Sequence, residues 1–197
     1  MQRGSLIVLS APSGSGKTTI AREILRRYPQ MLFSVSATTR VKRENETDGK
    51  DYFFLNKERF EEKIRNGELV EWEQYPNETN GNYYGTLKSE VDRALNDGKV
   101  MLFDVDVKGA LSIKRLYGDK AVLIFIKPPS FGALRDRLVN RRTEDEATVK
   151  RRLDRMPMEM EEGAKFDYQV VNDNIGDAVG QIETIINNQT RVHTVQR

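Results

Sequence analysis

A-P-S-G-S-G-K-T, residues 11–18, follows an apolar run at 6–9 and leads into Ile20-Ala21-Arg22-Glu23-Ile24-Leu25, whose apolar spacing is helical. A glycine-rich turn between a buried strand and a helix is the setting in which G-x-x-x-x-G-K-[ST] wraps a phosphate. Backbone N–H groups of such a turn point inward, and the helix N-terminus adds partial positive charge. The lysine of the motif neutralises β- and γ-oxygens, and the following hydroxyl reaches magnesium; these are Lys17 and Thr18 here. Ala11 stands where the pattern has its first glycine. Glycine is required only where φ is positive or a Cβ would clash. Position 11 is therefore expected to keep strand-like dihedrals, with Gly14 and Gly16 taking the strained ones.

Composition narrows what such a loop can serve. A chain of 197 residues can bury one full core with small insertions, but hardly two independent domains. The 32 Lys+Arg against 30 Asp+Glu leave a net charge of +2, which is no signature of a general nucleic-acid binder. An anion site must then come from local clustering. Cysteine is absent, which excludes disulfides and thiolate chemistry. The first residues run straight into the first strand without room for a signal peptide, and no apolar run approaches membrane-spanning length. A cytoplasmic enzyme or binding module, with no membrane and no nucleic-acid partner, is the expectation. Monomer and homo-oligomer stay equally open.

Working outward from the loop, strands and helices alternate at both ends of the chain. Strands are expected at 6–10, 100–105, 121–126 and 168–171, and helices at 18–28, 107–116, 131–140 and 177–188. Near-continuous apolar strands separated by helices argue for a three-layer α/β fold, a parallel sheet covered on both faces. Two stretches break the rhythm. Short β-like pieces at 51–55, 69–75 and 82–85, with a helix near 57–66, suggest a small mixed α+β insertion. Residues 141–160 read as an Arg- and Glu-rich helical stretch, either a solvated helix or a mobile lid. A single domain follows, with core segments 1–33, 88–128 and 161–197, an insertion at 34–87 and a lid region at 129–160. Met156-Pro157-Met158-Glu159-Met160 is expected to mark a helix boundary with apolar packing between lid and core, and Trp72 to be packing for the insertion.

Two further groups could carry chemistry. Asp104 and Asp106 close the strand at 100–105, where alternate residues share a face and the carboxyl ends of strands face the ligand crevice. A role beside magnesium, directly or through water, suits both, as does contact with an acceptor. Asp106 equally suits a helix N-cap, since a helix follows at once. Arginines gather after the polar run 36–39 (Arg40, Arg43) and along the lid region (Arg137, Arg141, Arg152 among them). Alone, each reads as solvated surface; beside a phosphate loop they become candidates to neutralise a migrating phosphoryl group.

The order of these parts resembles the guanylate kinase family along nearly the whole chain. The similarity runs through S-A-P-S-G-S-G-K-T (10–18), F-S-V-S-A-T-T-R (33–40), D-G-K-D-Y-F-F (48–54), G-N-Y-Y-G-T (81–86), D-V-D-V-K-G (104–109), P-P-S (128–130), R-R-T-E-D-E (141–146) and V-N-D (171–173). The resemblance implies a P-loop nucleoside monophosphate kinase using ATP and GMP with Mg2+. It implies that Ala11, Pro12, Ser13, Gly14, Ser15, Gly16, Lys17, Thr18 and Thr19 hold ATP, with Asn172 and Asp173 near its adenine. Ser36, Arg40, Arg43, Tyr52 and Tyr84 match positions that hold the GMP phosphate and base, and Glu71, Thr86 and Asp104 those that read the guanine edge. Lys17, Arg43, Arg137, Arg141 and Arg152 would carry catalysis, and Thr18, Asp104 and Asp106 the metal.

The chemistry of the guanine edge agrees with that assignment. Guanine offers N1–H and a 2-amino group as donors, and a carboxylate such as Glu71 accepts both; adenine would leave it unpaired. Three positions depart from the family pattern. Arg40-Val41-Lys42-Arg43 lacks the proline of R-x-P-R, residues lengthen the connection around 76–79, and Arg142 replaces a small residue after Arg141. Related modules that bind phosphorylated peptides without turnover have a degraded loop; here Gly16, Lys17 and Thr18 are intact.

Overall fold

The computed structural model describes residues 4–75, 81–140 and 146–190. Its central sheet is built from five strands: β1 (Ser5–Ser10), β2 (Leu32–Phe33), β7 (Val100–Asp104), β8 (Ala121–Lys127) and β9 (Tyr168–Val171). They lie in the order β2-β7-β1-β8-β9, and every pairing is parallel. Alternation along the strands sends side chains to opposite faces. Ile7, Leu9, Leu102, Ile124 and Ile126 pack on α1 (Lys17–Arg27) and α7 (Ile175–Gln189) through Ile20, Ile24, Val179 and Ile182. Leu6, Val8, Phe103, Leu123 and Phe125 pack on α3 (Lys88–Asn96) and α4 (Val107–Tyr117) through Val91, Ala94, Ala110 and Ile113. That is the expected three-layer parallel architecture.

A second sheet of four strands has the order β4-β3-β6-β5 and is mixed: β3 (Ala37–Thr38) runs parallel to β4 (Phe53–Phe54) and antiparallel to β6 (Asn82–Leu87), which pairs antiparallel with β5 (Leu69–Tyr75). With α2 (Lys57–Arg65) it encloses a small cluster of its own around Ala37, Phe60 and Leu87. Gly85 is a spatial requirement here, since a Cβ on it would lie 2.7 Å from the Glu71 carbonyl and 3.2 Å from the Phe60 ring.

Several elements differ from the sequence-based expectation. The helix α3 is absent from it, because K-S-E-V-D-R-A-L-N shows only Val91, Ala94 and Leu95 as an apolar stripe. Within the polar run 36–39, only Ala37 and Thr38 form strand, the two residues of β3. Pro157 marks no boundary: α5 (Phe131–Asn140) is followed by α6 (Glu146–Gly163), which runs through it. Met156 packs with Leu134, Leu153 and Met160, and that tertiary anchoring outweighs the ~3 kcal/mol helix penalty of proline. The extra connection at 76–79 lies outside the described residues. Among the described residues no helix is long and apolar enough to cross a membrane.

Candidate active site: two cavities sharing one wall

Leu9 of β1 pairs with Asp104 at the end of β7, so the phosphate loop leaves its strand beside that carboxylate. Gly14 and Gly16 hold φ of 90° and 88°, as expected, and Ala11 is buried at 7% exposure. Gly16 is the N-cap of α1 and brings no side-chain cap, and no acidic residue sits in the first turn. The free N–H groups of that turn and its partial positive charge therefore remain available to an anion. Residues 11–19 line a cavity of about 250 Å³ together with Asp106 and Glu159.

Asp104 organises the two loop residues that matter most. Lys17 donates to the Val105 carbonyl at 2.9 Å and forms an ion pair with Asp104, while Thr18 Oγ1 donates to Asp104 Oδ2 at 2.9 Å. Asp106 lies beyond the end of β7, so the shared-face argument from the sequence does not apply to it. It is the N-cap of α4, its Oδ1 accepting from the Gly109 N–H at 2.8 Å, and it nevertheless faces the loop cavity. Thr18 and Asp104 offer a hydroxyl and a carboxylate close together, and among the described residues no group of three or more His, Cys, Asp or Glu could form an all-protein cage. That sparse oxygen set fits magnesium, which keeps waters and takes substrate phosphates as ligands.

Two remote elements reach the loop. Arg152 of α6 donates to the Ser13 hydroxyl. Asn172, just past β9, donates its amide to the Ser15 carbonyl at 2.7 Å, while Asp173 stays exposed. Arg137 stands on α5, but its side chain is outside the described residues, as is Arg141 altogether. Glu159, on the α6 face that also carries Arg152, was invisible to motif reasoning; burial and the Asp106 charge push its carboxyl above the usual range.

The second cavity, a cleft of about 950 Å³, lies between β5, β6 and α4, and its walls include Ser36, Tyr52, Glu71, Tyr84 and Asp104. Glu71 is held from behind: buried Thr86 donates to its Oε1 at 2.7 Å across the β5–β6 pair. Burial pushes the Glu71 carboxyl up to about 7, the nearby Asp106 and Glu73 charges add to the rise, and the Thr86 hydrogen bond opposes it. Tyr52 and Tyr84 meet edge to face at 6.1 Å. Arg40 stacks over Tyr52 and Phe54 at 5.3 and 5.7 Å. Its guanidinium is gripped by both oxygens of Glu46 at 3.0 and 2.6 Å, and Glu46 also accepts the Arg43 backbone N–H at 2.8 Å. Sequence reasoning missed Glu46, whose only local signal is an acid three residues past a basic turn. The Arg43 side chain is exposed, and Trp72, 47% exposed on the cleft wall, meets Tyr83 of the smaller sheet with ring centroids 6.0 Å apart.

Asp106 lines both cavities, and Asp104 joins the cleft wall to Lys17 and Thr18. The glycine-rich loop and the larger cleft are thus neighbours across one strand end. A family model described as guanylate kinase matches residues 3–189 of the chain. The guanylate kinase of Chlorobium luteolum is 48% identical over 185 residues, covering 94% of this chain and 92% of that protein. That of Thermotoga maritima is 44% identical, covering 95% and 88%. Among solved structures, the guanylate kinase from Anaplasma phagocytophilum superposes with a TM-score of 0.71 at 29% identity, over 96% of this chain and 88% of that one.

Proposed function

The chain belongs to the guanylate kinase family, ATP:GMP phosphotransferases, and from that premise we propose how its two adjoining cavities divide the reaction. The enzyme is a nucleoside monophosphate kinase that moves the ATP γ-phosphoryl group to GMP, giving ADP and GDP. ATP takes the loop at 11–19, its phosphates against the α1 N-terminus and Lys17. GMP takes the cleft, its phosphate toward Ser36, Arg40, Arg43, Tyr52 and Tyr84, and its guanine edge on Glu71. The observation that supports the assignment is that Asp106 lines both cavities while Asp104, on the cleft wall, bonds Lys17 and Thr18 of the loop.

Transfer is direct and in line. The GMP phosphate is already anionic, so no strong general base is needed, and rate comes from positioning and charge neutralisation. Thr18 and Asp104, with Asp106 through water, would hold magnesium, which when bound supplies charge compensation on the β- and γ-oxygens. Lys17 must leave Asp104 for phosphate, an exchange of one anion for another. Arg152, already on the loop, needs only to turn from Ser13, and Arg137 and Arg141 join it from the lid region. Closure over both cavities excludes water, which would otherwise hydrolyse ATP.

An ADP-release assay with GMP and AMP as competing acceptors tests the reading. GMP is expected to be preferred by several orders of magnitude, because AMP leaves Glu71 unpaired. Equal rates with AMP would sink the guanine assignment, and no turnover with either would turn the chain into a binding module.

A further inference from the structure

We infer that Asn172 is a positioning residue of the phosphate loop, fixing the direction of the Ser15–Gly16 peptide; this rests on the proposed binding of ATP at that loop. Asn172 is 6% exposed. Its backbone N–H donates to the Lys127 carbonyl at the end of β8, at 2.8 Å, which anchors the residue in the central sheet. Its side-chain Nδ2 then donates to the Ser15 carbonyl at 2.7 Å. A carbonyl only accepts, so the amide nitrogen, not the oxygen, must face the loop.

The geometry of the peptide unit supplies the consequence. In a trans peptide the C=O and the following N–H point in opposite directions, and no described peptide is cis. A Ser15 carbonyl turned toward Asn172 forces the Gly16 N–H away from it, into the concavity that residues 11–19 enclose. The backbone on either side is tied, the Ser15 N–H to the Pro12 carbonyl and the Gly16 carbonyl to the Ile20 N–H, both at 3.1 Å, but neither bond holds the Ser15–Gly16 peptide itself. Gly16 has no Cβ to resist a flip, and glycine crosses between the two signs of φ at little cost. Asn172 also packs directly on the glycine: a Cβ built at position 16 would lie 2.5 Å from its Nδ2. The motif therefore needs glycine at 16 partly because a residue 156 positions later occupies the space. Losing the amide lets the peptide populate the flipped state, and affinity for phosphate falls with the competent fraction.

Calorimetric titration with sodium tripolyphosphate, which has phosphates but no base, separates this role from an adenine contact. For Asn172→Ala, tripolyphosphate and ATP are both expected to bind roughly ten- to hundredfold more weakly, by the same factor, as for a lost buried hydrogen bond. GMP affinity and the preference for ATP over GTP as donor should match the parent enzyme. Weakened ATP binding with unchanged tripolyphosphate binding overturns the inference in favour of an adenine contact. Unchanged binding of both overturns it because the loop then holds itself. Should Asn172→Ala fail to fold, Asn172→Ser is read in the same way, its hydroxyl stopping one bond short of Ser15. Failure of the parent protein to bind either ligand would instead overturn the ATP reading on which the inference stands.

Discussion

Glu71 shows how one carboxyl can be set against two demands. Its site favours the neutral acid, with the pKa up to about 7, because burial and the Asp106 and Glu73 charges act together. Guanine binding in the proposed pose would favour the anion, which accepts two donors at once. The nucleobase must therefore expel a proton below pH 7. Guanosine, free of a titrating phosphate of its own, should bind about tenfold more weakly at pH 6 than at pH 8, levelling off above pH 7. A pH-independent affinity would mean that Glu71 does not meet the base. Stability should run the opposite way. The folded pKa lies above the unfolded one, so the contribution is complete below pH ~4.5 and is lost as pH rises through about 7. Glu71→Gln should accordingly melt higher than the parent at pH 8 and level with it near pH 4, while losing GMP turnover.

Among the elements, α4 separates structure from chemistry most sharply, because Asp106 both caps the helix and faces the two cavities. Removing the cap by Asp106→Ala should cost about 1 kcal/mol, read as a lower denaturant midpoint. Asp106→Ser should restore stability, since serine caps equally well. If the carboxylate also serves the metal, activity in Asp106→Ser stays low and its magnesium requirement rises; recovery of both would leave Asp106 a cap alone. The same elements mark what the sequence could disclose. β1, the loop and α1 were legible because apolar runs, glycines and helical spacing are local signals. So were β5, α2 and α5, with ends off by a residue at most. The partners of these elements were not. Asn172 finds Ser15 across 157 positions, Arg152 finds Ser13 across 139, and Glu46 claims Arg40 across a loop without periodicity. Pro157 misled for the same reason, its local rule overruled by Met156 packing on Leu134.

For the molecule as a whole, the decisive contrast is between cores of unequal size. Among the described residues, eighteen and fourteen buried apolar residues pack the two faces of the central sheet, whereas three, Ala37, Phe60 and Leu87, form the buried apolar cluster beneath the smaller sheet. The smaller unit is tied to the larger along β5: Val70 joins the cluster on α4, Leu69 joins the cluster on Phe60, and Glu71 follows next in line. Glu71, which the proposed pose sets against guanine, thus sits on the seam between a rigid core and a weakly cored unit. A region with few buried apolar contacts opens at lower free energy than the global transition. Backbone amides of β3 and β6 should therefore exchange with deuterium well before those of β1 and β8 in the free enzyme. GMP spans the smaller sheet and the end of β7 in the proposed pose, so it should slow exchange in β3, β5 and β6 at least tenfold and barely change β1. Uniform protection across both sheets without GMP would show that the two units open as one, and acceptor binding would then have no soft unit to order.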